Sequence, residues 1–311
     1  MPITQINFNS PAALPGYILS PTGGIVRYVY NGGAATLDLL PAGVQDICDL
    51  SLDSAMSKCR DNRGDTIIML PGHVDTLATA ASVANMKAGV TVMGVGNGDE
   101  RPAINWTAAA SAVALAKANV RIENCILNFA KTAATTVAAP IQVTAAAFIL
   151  SKCRLIFSGA GGTQLCTVGI EYKAGSDRSQ VLDCEIEGAA DGAVTDHFLV
   201  SAAIDRFRFR RNLGSSGPAG ANGILRFSAA ATNIIVDENT IENTLAGASS
   251  TAVFVGFAGL TGQFPWNALS VQNNGTASGQ GIIVPGNTRA NQTYTSDEAG
   301  KSGLLSPVAA T

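Results

Sequence analysis

The feature that most constrains this chain is a self-similar segment that occurs six times. Its clearest copy is VRIENCIL, Val120 to Leu127, and its reference positions are Cys125, Cys153, Cys184, Asn212, Asn239 and Asn267. Successive spacings are 28, 31, 28, 27 and 28 residues. Three residues before each reference stand Ile122, Leu150, Val181, Phe209, Val236 and Phe264. Two residues after it stand Leu127, Leu155, Ile186, Gly214, Ile241 and Leu269. A period of this length marks a repeat architecture, in which no unit buries its apolar face alone and stacking supplies the core.

The repeated segments are short, β-branched or aromatic, and alternate with period two, which fits strands. Helical repeats would need about ten or more residues of 3.6-residue period per helix. A second short apolar run recurs at Ile141, Ile170, Leu199, Leu225, Phe254 and Ile283, with spacings of 29, 29, 26, 29 and 29. Each period thus contributes two or three strands, and stacked periods build parallel sheets along an axis. The predicted fold is all-β, a parallel β-helix of about seven to eight coils.

The residue just before each reference reads Asn124, Lys152, Asp183, Arg211, Glu238 and Trp266. Strict alternation would place this column inside, where charge is not tolerated. The chain must therefore bend there, with two outward residues forming a corner and the Cys or Asn turning back in. Asn at such a corner can bond the next coil and tolerates unusual φ and ψ. Lys152, Asp183, Arg211 and Glu238 then alternate in sign at one strand spacing, roughly 4.8 Å, as a surface ladder worth a few tenths of a kcal/mol per pair.

A chain of 311 residues would ordinarily suggest two domains, but a solenoid lengthens without starting a second core. The organisation expected is an extended arm over 1–47, a β-helix with a capping helix over 48–286, and a C-terminal tail over 287–311. A net charge of −3 gives no general attraction for nucleic acid or an anionic membrane, and neither is an expected partner. The opening MPITQINFNS lacks a basic stretch followed by an apolar one, so no signal peptide is expected, and no apolar run is long enough to span a bilayer. Cys125, Cys153 and Cys184 share one inward column, too crowded for orderly pairing. They read as buried free thiols, which suits assembly in a reducing cytoplasm.

The arm is dense in Pro and Gly yet carries Phe8, Tyr17, Tyr28 and Tyr30, too apolar a set for a solvated tail. These four are candidate interface residues. The arm either packs along its own β-helix or reaches a neighbouring subunit or a larger assembly. Leu52, Ala55, Met56 and Cys59 then follow helical spacing, with Asp49 or Ser51 as N-cap and an end near Asn62 and Gly64. A strand in GDTIIMLPGHV follows, so helix and strand form a lid over the open end of the solenoid.

This lid helix, GDTIIMLPG and the Asn/Cys-cornered coils resemble the pectate-lyase-like right-handed parallel β-helix superfamily over about residues 50–285. More narrowly, SPAALPGYILSPTGGIVRYVYNGG, CRDNRGDTIIMLPGHV, ERPAINW and VRIENCILNF are similar to β-helical structural proteins of tailed-bacteriophage virions. That resemblance implies a right-handed single-stranded solenoid, a homotrimer, and a decoration or cement role on the capsid exterior against the major capsid protein. From the residues, no catalytic residue, cofactor or metal is expected. A tailspike-like polysaccharide-binding or depolymerising protein, or a receptor-binding tail module, are the alternatives.

The residues themselves offer little chemistry. His73 and His197 read as surface histidines, and no HExxH, CxxC or EF-hand spacing occurs. GVGNG (94–98) and GAGG (159–162) read as turns. The best carboxylate sets are Asp183, Glu185 and Glu187, and Asp237, Glu238 and Glu242 two coils later, roughly 10 Å away and beyond the separation of a retaining pair. Arg208, Arg210 and Arg211 on the coil between would neutralise both sets, so DRFRFRR (205–211) reads as a solvated charged face.

Overall fold

In a computed structural model these periods stack as expected. It describes residues 24–32, 48–77, 86–106, 113–129, 139–157, 166–188, 194–217, 223–244, 253–257 and 259–271, and four later strands at 282–283, 288–289, 294–297 and 303–304. The described strands form sheets of eleven, ten and seven strands around one core, so the chain is a parallel β-solenoid. One period runs through Arg121–Glu123 in the first sheet, Ile126–Asn128 in the second and Ile141–Val143 in the third. It returns as Ile149–Ser151, one rung further along the first sheet.

Ile122, Leu150, Val181, Phe209 and Val236 are register partners in succession and all are buried. Lys152, Arg208 and Glu238 are exposed, so the inward–outward frame read from alternation holds. Gly214 interrupts the second-sheet column because a Cβ there would lie 2.0 Å from the Ile186 carbonyl oxygen. In the third sheet the column is Ile141, Ile170, Phe198, Leu225, Phe254 and Ile282, which corrects Leu199 and Ile283 by one residue each. Alternation fails on Val194–Val200: consecutive His197 and Phe198 both pack on Phe157, with ring centroids 4.2 and 6.2 Å away. Leu199 instead joins Ala139 and Val168 in a small separate cluster.

The corners have a conformational cause. Asn124, Lys152, Asp183, Arg211, Glu238 and Trp266 all have left-handed φ, between 53° and 58°. Five residues earlier in most periods a second left-handed set recurs at Asn119, Ala147, Arg178, Arg206 and Asn233. The unusual backbone expected at the Asn reference column therefore belongs to the residue before it. A single left-handed residue bends the chain sharply, which lets both the strand before it and the reference after it face the core. For a residue with a Cβ this costs about 1–2 kcal/mol, less for Asn and Asp.

What offsets that cost is a side-chain ladder inside the corner. Asn212 Oδ1 accepts the Cys184 N–H at 3.0 Å, Asn239 Oδ1 accepts the Asn212 N–H at 2.9 Å, and Asn267 Oδ1 accepts the Asn239 N–H at 3.1 Å. Each amide nitrogen also donates: Asn212 to Asn239 Oδ1 at 2.9 Å and Asn239 to Asn267 Oδ1 at 2.8 Å. Toward the other end sulfur takes the place of the amide oxygen, the Cys125 N–H facing the Cys153 sulfur and the Cys153 N–H facing the Cys184 sulfur. Cys125, Cys153 and Cys184 are free thiols. Burial pushes all three thiols up, Cys153 to about 12, so they stay protonated and inert.

The only α-helix among the described residues, Leu52–Lys58, is the expected lid. Ser51 Oγ accepts the Ser54 N–H at 3.2 Å, and Leu52, Ala55 and Met56 are buried against the core. Asp75 Oδ2 accepts the Leu52 N–H at 2.6 Å, tying the helix start to the second sheet. The helix ends before Asn62 and Gly64 because Cys59 is already extended. Solenoid pairing also starts earlier than expected. Val26–Val29 lies between Cys48–Asp49 and Thr66–Met69 in the first sheet, so part of the expected arm is a rung. Buried Asp65 holds this rung by accepting the N–H groups of Ile25 (2.8 Å) and Arg60 (2.7 Å). At the other end, parallel pairing continues past Gly286 through Thr288–Arg289 and Tyr294–Asp297, with antiparallel Gly303–Leu304 on the last strand.

Two substitutions separate corner from ladder. Ala147→Gly removes a Cβ at φ 59° and should raise stability by about 0.5–1 kcal/mol, the opposite of the usual effect of glycine. Asn239→Ala strands the Asn212 amide groups in the core and should cost about 2–4 kcal/mol. Urea unfolding of both variants measures each effect.

Candidate functional site

Of the expected interface tyrosines, Tyr28 and Tyr30 sit on the outer face of the first sheet at its capped end. Tyr28, Ile68 and Met93 are register partners there, and Tyr28, Tyr30, Ile68 and Leu70 form a cluster separate from the main core. Val26, Cys48, Met93 and Val95 pack partly buried against it. Farther along, the same face becomes charged, with Arg121, Glu123, Arg208 and Arg210. Tyr28 and Tyr30 are only 5% and 7% exposed, so the chain itself already covers them and they offer little free area to a partner. Burial raises the Tyr28 phenol above its ordinary range. Phe8 and Tyr17 lie outside the described residues.

The carboxylate sets lie along the first and second sheets, and all but the exposed Glu242 lie beside a cation. Asp183 receives two bonds from Arg211, at 2.6 and 3.0 Å, which hold its carboxyl below the usual range. Glu185 pairs with Arg101 at 3.0 Å, Glu187 takes bidentate Arg154 at 2.6 and 2.8 Å, and Asp237 pairs with Arg210 at 2.5 Å. Glu238 lies 3.8 and 3.9 Å from Arg210 and Arg211. Arg210 and Arg211 thus supply part of the neutralisation expected from the basic coil, Arg208 is paired with none of these acids, and Glu185 and Glu187 are held by Arg101 and Arg154. Both act with the loop at 97–101, where Arg154 also bonds Asp99 and Arg101 bonds the carbonyls of Gly98 (2.9 Å) and Lys152 (3.2 Å). Sequence spacing could not reveal this, since Arg101 reaches Glu185 across 84 residues. The loop and corner form a groove of about 400 Å³, lined by Asn97, Gly98, Arg101, Asn124, Lys152, Arg154, Asp183 and Glu185, cations and carboxylates together.

Both histidines are buried, contrary to expectation. His73 bonds Asp75 through Nε2 at 3.0 Å, beneath the start of the lid helix. His197 fills a gap in an inner stack. Trp106, Phe129 and Phe157 stack at 4.8 and 4.7 Å, and the equivalent position on the next rung is Gly188, where a Cβ would lie 1.9 Å from Ser216 Oγ. The His197 ring takes that space, with Nε2 2.5 Å from Ser216 Oγ. A serine beside a histidine invites comparison with a hydrolase dyad, but Ser216 is 1% exposed and His197 Nδ1 has no hydrogen-bond partner. The neighbouring carboxylate, Asp196, is turned to Arg226, bonded at 2.6 and 2.8 Å. Burial lowers the His197 pKa to about 3, making it a weak base.

Among the described residues no three His, Cys, Asp or Glu side chains converge as metal ligands, and no helix is long and apolar enough to cross a membrane. GVGNG forms a strand end and a turn, while GAGG (159–162) lies outside the described residues. No protein-family model, curated protein or solved structure matches the chain.

His197 gives a pH signature. Its folded pKa, about 3, lies below the unfolded value near 6.5, so the unfolded state binds the extra proton and stability falls as pH drops between those values. Wild type should lose about 2 kcal/mol from this group between pH 7 and pH 5, and His197→Gln should remove that part of the slope. Urea unfolding of both proteins at the two pH values measures the difference.

Proposed function

We infer that this chain is a non-enzymatic structural protein of a tailed-bacteriophage virion, a decoration or cement protein on the capsid exterior. The observation that carries the non-enzymatic part is the state of the candidate carboxylates. Glycosidases and lyases on such a fold need acids free to exchange protons or bind cations, whereas Asp183, Glu185, Glu187 and Asp237 are each bonded to a guanidinium. The Ser216–His197 pair, the other catalytic candidate, is enclosed in the core. A solenoid with ladders along its corner and ion pairs along its face is suited to bear load. The virion assignment rests on the resemblance of the opening segment and coils to phage β-helical structural proteins, and the partner it implies is the major capsid protein.

Purified protein should co-sediment with phage capsids lacking it and raise their resistance to heat or chelators, and should leave pectin and bacterial polysaccharides uncut. Depolymerisation abolished by Asp183→Ala or Glu185→Ala would establish the tailspike alternative. Failure to bind capsids, with tail structures bound instead, would move the protein to the tail.

A further inference from the structure

The corner between the first and second sheets presents a single file of six left-handed residues, one per rung: Asn124, Lys152, Asp183, Arg211, Glu238 and Trp266. At roughly 4.8 Å per rung the file spans about 24 Å. Its side chains reach solvent: Lys152 is 61% exposed, Arg211 44%, Glu238 45%, and Trp266 60%. The charges read plus, minus, plus, minus, and an even alternating series becomes its own complement when reversed. A second copy laid antiparallel, with a two-fold axis between Asp183 and Arg211, sets Lys152 against the partner's Glu238 and Asp183 against the partner's Arg211. A parallel copy along the same edge would place every charge beside its like.

The ends of the file match as well. The same axis brings Trp266 to the partner's Asn124, and Asn124 lines the groove of about 400 Å³ that also holds Arg101, Lys152 and Arg154. An exposed indole has no apolar neighbour to cover it within the file, and in the groove, beside Asp183 and Glu185, the exposed Lys152 ammonium can meet its ring face. Charge pairs fix orientation but bind weakly, so an interface of this kind needs a large buried anchor. Trp266 supplies one at each end.

We propose that this file is a self-complementary contact through which two copies associate antiparallel, each placing Trp266 in the groove beside the other's Asn124. The contact does not depend on the virion assignment, and a trimer would have to use other faces. Sedimentation velocity of the full chain should show a dimer that dissociates as salt rises. Trp266→Asn, which keeps a residue tolerant of left-handed φ, should weaken association at least about tenfold. Arg211→Glu should also weaken it, and adding Asp183→Arg should restore it, because the swap re-forms the pairs in reversed order. Combined Asn124→Cys and Trp266→Cys should yield a disulfide-linked dimer, and Asn124→Cys alone should not. A chain that stays monomeric at high concentration, association unaffected by these changes, or self-linking by Asn124→Cys alone would overturn the proposal.

Discussion

Hydrogen bonding inside the corner is the constraint on which this structure depends. A strand of three residues has too few ladder bonds to fix its own direction, and each period must turn three times to return to the first sheet, twice through left-handed residues. Those two turns use left-handed residues, several of them Lys, Arg or Glu, which on their own favour other conformations. The Asn212, Asn239 and Asn267 amides oppose that preference by linking each corner to the next through both oxygen and nitrogen. Because the bonds run along the axis, each rung is held by its neighbours, and the corner stays in line for the length of the ladder.

The core and outer face follow from that frame. With the corners aligned, like side chains stack in the aromatic run Trp106, Phe129 and Phe157, while Tyr172 with Phe207 and Phe198 with Phe209 meet edge-on across the core. The missing side chain at Gly188 shows how local the rule is, since His197 from the third sheet enters the space and Ser216 satisfies its Nε2. Outside, alignment places opposite charges one rung apart. The loop at 97–101 adds longer ties, its Arg101 reaching Glu185 three rungs along the second sheet.

Much of this was legible in the sequence because stacking repeats the same physical demand every period. The inward columns through Ile122 and Leu127, the charged corner and the lid helix each leave a spaced signature. What escaped were features made by single residues at long separation. Nothing local marks Arg101 as the partner of Glu185, or Gly188 as the vacancy that buries His197. The one-residue errors at Leu199 and Ile283 have a related cause: two adjacent apolar residues fit the column equally well by hydropathy, and only the packing of Phe198 decides. The segment around Tyr28 hid a strand because its Pro- and Gly-rich flanks read as an arm, although Val26, Tyr28 and Tyr30 alternate as a strand should. The candidate carboxylates were found, as was their neutralisation by Arg210 and Arg211, since both lie within the repeat.

Amide hydrogen exchange at the corners tests the role of the ladder most directly. Turn residues ordinarily exchange quickly, but the N–H groups of Cys184, Asn212 and Asn239 are bonded to buried side-chain oxygens of the next rung. They should exchange as slowly as those of the flanking strands, in a block that opens only when the solenoid unfolds. Exchange of these three amides at the rate of exposed turns, with the neighbouring strands still protected, would contradict the ladder as the interaction that holds the corners.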